Sequence, residues 1–172
     1  MALTKTTIRF SLSLLATAAI LSTAAAQSST VNFCDTASNK ALCVELINEG
    51  KTWAEAMTNA LNAVMKKARA GQSIAYGVGP KLPAELQPQT KQSIESTCHE
   101  AYDNIIDNLK QCVGFVTDDP YSSLRTYLSA TTFSDCTDGL TEFNVSLPEV
   151  TEFDKEMLKL SSTLLAVAEK KP

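Results

Sequence analysis

The stretch Cys98-His99-Glu100-Ala101-Tyr102-Asp103-Asn104-Ile105-Ile106-Asp107-Asn108-Leu109 decides how this chain is read. Ile94, Cys98, Ala101, Ile105, Leu109, Cys112 and Val116 recur at steps of three and four, which is the apolar seam of a helix packed in a bundle. The helix predicted from this pattern runs from about Thr90 to Val116, roughly 40 Å at ~1.5 Å per residue. Asp118-Asp119-Pro120 ends it, and Asp119 with Pro120 can start the next helix as N-cap and first helical residue.

That next helix is read as continuous, with Leu124, Leu128, Cys136, Leu140 and Phe143 on its seam and Gly139 as its weak point. Cys98 lies about 21 positions before the turn near Asp119 and Cys136 about 17 after it. In an antiparallel pair these are nearly equal heights, which predicts a Cys98–Cys136 disulfide. Cys112 is on the same face but ~21 Å along the helix from Cys98, opposite a stretch near Arg125 that holds no cysteine. It is therefore the free thiol of five cysteines, a buried small hydrophobe.

Two further amphipathic helices complete a bundle. Thr52 to about Tyr76 carries Trp53, Met57, Leu61, Val64 and Ala68 on one side, and Thr151 to Glu169 carries Phe153, Met157, Leu160, Leu164 and Val167. Glu152 and Asp154 are placed in the first turn of the last helix and Lys170 and Lys171 at its end, as the helix dipole favours. On one continuous helix, Cys34 and Cys43 would be ~13 Å apart. A Cys34–Cys43 disulfide therefore requires the chain to double back, and Ala37-Ser38-Asn39 supplies a turn. The predicted fold is all-α: an up-and-down four-helix bundle over residues 51–172, preceded by a helical hairpin over 27–50, with two disulfides.

Residues 1–26 read as a signal peptide. Lys5 and Arg9 precede an apolar run from Phe10 to Ile20, and Ala24-Ala25-Ala26 offers a small-residue cleavage site. The run is too short and too interrupted by hydroxyl residues to span a membrane. The expected product is a secreted domain, residues 27–172, with no membrane association after cleavage and disulfides suited to an oxidising compartment. Removal of Lys5 and Arg9 leaves 13 basic against 19 acidic residues, a net charge of −6. An acidic domain is a poor ligand for nucleic acid and a reasonable one for a basic partner. Asn144-Val145-Ser146 is a candidate N-glycosylation acceptor.

Catalysis has little support. His99 is the single histidine, next to a disulfide cysteine, and no base–nucleophile pair can be built around it. Cys98-His99 is not a zinc pattern, and Gly77-Val78-Gly79-Pro80 follows a helix rather than a strand, which disfavours a phosphate loop. No catalytic residue, metal or cofactor is expected.

Several motifs together resemble the plant invertase and pectin methylesterase inhibitor family. They are Phe33-Cys34-Asp35-Thr36 with Ala41-Leu42-Cys43-Val44-Glu45-Leu46; Cys98-His99-Glu100-Ala101-Tyr102 with Ile105-Ile106-Asp107-Asn108-Leu109; and Leu128-Ser129-Ala130 leading to Asp135-Cys136-Thr137-Asp138-Gly139-Leu140. The resemblance implies a monomeric inhibitor of a cell-wall enzyme, with neighbouring cysteines paired in order. It also implies that polar positions flanking the third and fourth family cysteines meet the target. Here these are Glu100, Asn104 and Asp107 on one helix and Asp135 and Asp138 on the next. At 100° per residue, Glu100, Asn104 and Asp107 form one stripe facing away from the seam.

The chain departs from the family at Asn104, usually acidic, at Asp135, usually threonine, and at Ser162-Thr163-Leu164 in place of an Asn-Ala-Leu-type pattern. Family members that inhibit invertase often carry Pro-Lys-Phe between the third and fourth helices, where this chain has Pro120-Tyr121-Ser122. The implied target is therefore pectin methylesterase, with acid invertase as the alternative and a non-inhibitory secreted interaction or structural protein on the same scaffold as a third reading. The implied location is the apoplast or cell wall, with the vacuole as the alternative.

Overall fold

The computed structural model describes residues 33–171. The predicted signal peptide and most of the first arm of the hairpin lie outside the described residues. The described chain forms α1 (Lys40–Ile47), α2 (Trp53–Tyr76), α3 (Pro88–Asp118), α4 (Ser123–Ala130), α5 (Asp135–Glu142) and α6 (Pro148–Ala168), with a short 3-10 turn at Gly79–Lys81. No strand occurs among the described residues. α2 packs against α3 and α6; α3 packs against α4 and α5, and these in turn meet α6. The ring of contacts closes an up-and-down four-helix bundle in which α4 and α5 together form one leg.

Each long helix starts with an identifiable signal. Thr52 and Glu55 form a reciprocal capping box at α2, which fixes that start at its predicted place. Pro88 and Pro148 occupy the first turns of α3 and α6, where the missing N–H has no cost. The α3 seam is buried as its period predicts, with Ile94, Cys98, Ala101, Ile105, Leu109, Cys112 and Val116 all in the core.

Three expectations require correction. The helix after Asp119 starts at Ser123 rather than Pro120, and Asp119 accepts instead from the N–H groups of Ser122 and Ser123, at 3.1 and 3.0 Å, in the turn before it. The leg after Asp119 is not one helix. It breaks at residues 131–134, and Gly139, the expected weak point, lies within α5. Both the N–H and the hydroxyl of Thr131 donate to the Tyr127 carbonyl, at 3.0 and 2.7 Å, and Phe133 turns into the core at 3% exposure. A threonine competing for the backbone and an aromatic needing burial overcome weak local helix propensity. Gly139 serves close packing instead, since a Cβ there would lie 2.9 Å from the Thr97 side chain.

The last helix begins at Pro148, not Thr151. Asp154 is therefore not in the first turn. It is buried at 3% exposure, facing the bundle interior. Glu149 takes the first-turn position, paired with Lys81 at 2.9 Å. Lys170 and Lys171 fall beyond the end of the helix, and the Lys171 ammonium lies over the rings of Trp53 and Tyr121 at 5.2 and 4.6 Å.

The α1 segment is joined to the bundle by side chains. Cys34–Cys43 closes it with Cα atoms 5.7 Å apart, and Asn39 caps α1. Asn48 and Glu49 follow with positive φ. Asn59 on α2 donates to the carbonyls of Ile47 and Asn48 at 3.0 and 3.3 Å. The Trp53 indole donates to the Val167 carbonyl at 2.9 Å, linking the start of α2 to the end of α6.

Candidate functional site

The outer face of α3 is fixed by what lies behind it. The Cys98–Cys136 disulfide holds α3 to α5 with Cα atoms 4.3 Å apart, and Thr97 packs on Gly139 beside it. On the other side Tyr102 meets the Phe153 ring and donates to the Asp154 carboxylate. With both flanks engaged, Glu100, Asn104 and Asp107 are turned to solvent, and all three are exposed. Ser96 donates to Glu100 at 2.8 Å and Lys110 pairs with Asp107 at 2.8 Å.

Asp135 and Asp138 stand in the first turn of α5, where acidic side chains suit the helix dipole. Asp138 is exposed and accepts from Ser134 at 2.9 Å; Asp135 is half-buried and accepts from Thr132 at 2.5 Å. These two carboxylates therefore also hold the break between α4 and α5. The disulfide and the Thr97–Gly139 contact bring α5 against the Cys98 end of α3, the end at which the stripe begins with Glu100. Asp107, just under two turns from Glu100 at 3.6 residues per turn, lies towards the α4 end.

Sequence reasoning missed a neighbouring group. Tyr76, at the end of α2 and 50% exposed, lays its ring against His99 with centroids 4.2 Å apart. Its hydroxyl donates to Asp103 at 3.0 Å, and Gln72 donates to the same carboxylate oxygen at 2.6 Å. This contact with Asp103 pushes the Tyr76 phenol above its ordinary value. The periodicity of each helix gave no signal for the cluster, because it exists only where α2 and α3 meet. It adds a held aromatic to the edge of an acidic face.

The buried groups carry no chemistry of this kind. Cys112 is a free thiol in the core, and burial pushes it up to about 12, so it stays protonated. Asp154 is enclosed by Tyr102 and Thr137. Among the described residues no cluster of histidine, cysteine and carboxylate groups is arranged to hold a metal, and no helix is long and apolar enough to cross a membrane. What the α3–α5 face presents is a set of exposed and half-buried acidic side chains, with Ser96, Thr132 and Ser134 hydroxyls donating to three of them.

Comparison with known proteins places the chain in a family. The family model described as plant invertase/pectin methylesterase inhibitor matches residues 8–167. Among solved structures, the crystal structure of a pectin methylesterase inhibitor from Arabidopsis thaliana superposes with a TM-score of 0.58 at 16% identity. The match covers 84% of this chain and 97% of that one, and at that identity it shows a shared fold. No curated protein matches the sequence. With the family model spanning nearly the whole chain, this protein belongs to the plant invertase/pectin methylesterase inhibitor family.

Proposed function

We propose that the chain is a secreted, monomeric inhibitor of plant pectin methylesterase that acts by stoichiometric, non-covalent occlusion of the substrate cleft. Residues 1–26 would be removed as a signal peptide, and residues 27–172 would act in the apoplast. The observation that carries this reading is the exposed polar stripe of Glu100, Asn104 and Asp107 on α3, with Asp135 and Asp138 in the first turn of α5, the helix that the disulfide holds against α3. A docking face must keep its shape when it meets its partner, and this one is backed by a disulfide and a buried hydrogen-bond network.

Charge and shape both favour a protein target. Glu100, Asp103, Asp107 and Asp138 line the face, and Lys110 offsets only part of that charge through Asp107. Such a surface steers a basic or polar cleft rim and does so less well as salt screens it. Tyr76, fixed by His99 and Asp103, supplies an aromatic side chain with little remaining freedom, the type that concentrates binding energy at interfaces.

The test is a titration. The oxidised mature protein is mixed with a plant pectin methylesterase and, separately, with an acid invertase, and residual activity is followed. Loss of esterase activity near an equimolar ratio is the expected result. Inhibition of invertase alone would transfer the reading to that enzyme, and inhibition of neither would leave a non-inhibitory interaction protein on the family scaffold.

A further inference from the structure

Helix α5 ends in a left-handed turn that is not made by glycine. Asn144 follows the C-cap Phe143 with φ 56°. Its N–H donates to the Thr141 carbonyl at 2.9 Å, and the N–H of Val145 donates to the Leu140 carbonyl at 2.9 Å. This pair of bonds is a Schellman motif, and Leu140 and Val145, both buried, make the apolar contact that accompanies it. Asparagine is tolerated in this conformation, but glycine would serve the backbone at least as well. The side chain therefore invites another explanation.

Asn144 opens the tripeptide Asn144-Val145-Ser146, the acceptor pattern for N-linked carbohydrate, with no proline at the middle position and none directly after the serine. The turn presents that tripeptide in a particular way. Val145 is anchored in the core, while Asn144 and Ser146 on either side of it are exposed. A bulky group on the Asn144 amide would point away from the packed interior. Beside it lies a shallow groove between α5 and the start of α6, lined by Thr137, Thr141, Ser146 and Thr151 over Leu140 and Val145. Hydroxyl groups around an apolar floor match the two kinds of surface that a sugar ring presents.

We propose that Asn144 carries an N-linked glycan whose first N-acetylglucosamine rests against this groove. The donor would be an oligosaccharide carried on a polyprenyl diphosphate, transferred by the secretory oligosaccharyl transferase. A bond forms between the amide nitrogen of Asn144 and the anomeric carbon. The bond from that carbon to the diphosphate oxygen breaks, the diphosphate leaves with the electron pair, and the amide proton passes to a base on the transferase. The proposal rests on the secretory reading above, since the transfer takes place only on chains that enter that route.

The full chain is expressed in cultured plant cells. Protein from the medium and from the cells is then compared by mass spectrometry before and after a glycosidase that cleaves plant N-glycans at the asparagine. The expected result is secreted protein with the mass of one glycan, lost on digestion with residue 144 converted to aspartate. The substitution Ser146→Ala should abolish the glycan with Asn144 still in its turn. Asn144→Gly should do the same while preserving the left-handed conformation. Secreted protein with an unmodified Asn144 would overturn the proposal and leave secretion intact. Should the chain stay in the cells without a glycan, a second form with an established leader ahead of residue 27 separates the two readings. Occupancy of Asn144 there upholds the acceptor site and refutes only the native leader, whereas an empty Asn144 refutes the site.

Discussion

The phenol of Tyr102 on α3 donates a hydrogen bond to the carboxylate of Asp154 on α6, across the interior of the bundle. The other carboxylate oxygen accepts from the hydroxyl of Thr137 at 2.6 Å and from its N–H at 3.2 Å. Three legs of the bundle are thus joined at one buried acid. An unpaired carboxyl here would be costly, and the network satisfies it. The network agrees with the rotation of α3 that its apolar seam dictates, since Tyr102 points inward while Glu100, Asn104 and Asp107 point out.

Replacing Tyr102 by phenylalanine keeps the ring that packs on Phe153 and removes the donor. Hydrogen bonds to ionised groups contribute about 1.5–3 kcal/mol, and a loss of that size is expected in urea unfolding of Tyr102→Phe. A loss below about 0.5 kcal/mol would show that Thr137 alone satisfies Asp154.

The same network has a pH signature. Burial raises the Asp154 pKa, the hydrogen bonds from Thr137 and Tyr102 oppose that rise, and nearby Asp138 adds to it. The net direction is upward from the usual 3.8, so the folded protein holds this proton more tightly than the unfolded chain. Asp154 therefore contributes stability that is full below the ordinary carboxylate range and is lost as pH rises through its higher folded value. Asp154→Asn stays neutral throughout. The stability of the native protein relative to that variant should fall with rising pH across this window, measured by denaturation at a series of pH values. Asp119, Glu149 and Glu152 are shifted down by their hydrogen bonds and destabilise on acidification, but they are common to both proteins and cancel.

The two disulfides should differ in weight. Cys98–Cys136 closes 38 residues and Cys34–Cys43 closes 9. Chain entropy then assigns about 4 kcal/mol to the first and about 2.5 kcal/mol to the second. Paired alanine substitutions, compared by thermal or denaturant unfolding, should show the larger loss for Cys98 and Cys136. The larger pair also holds α5 against α3, so its removal should weaken target binding as well.

Charge reversal tests the docking face directly. Asp107→Lys and Asp138→Lys both change exposed positions, and at Asp107 a surface change usually stays within about 0.5 kcal/mol of native stability, whereas Asp138 also sits in the first turn of α5. Each should raise the concentration needed for half inhibition of a pectin methylesterase, with the effect shrinking at high salt. Asp138→Lys also removes the acceptor for Ser134, so Asp107→Lys is the cleaner arm. Unchanged potency in both would remove this surface from consideration.

Much of this architecture was written in local pattern. The α3 seam, the capping box of Thr52 and Glu55, and the spacing of Cys98 and Cys136 about Asp119 each follow from helical geometry and short-range chemistry. They determined an all-α bundle with α3 and its successor side by side, and which face of α3 looks outward. Tertiary structure decided what depends on neighbours far along the chain. The break before α5 exists because Phe133 is buried and Thr131 turns back on Tyr127. Asp154 reads as an ordinary early-helix acid until Tyr102, 52 residues away, and Thr137 close over it. Tyr76 becomes part of a surface only where α2 meets His99 and Asp103. Period and propensity report which side of a helix is apolar, whereas a polar contact between helices depends on their relative height and rotation, which packing alone sets.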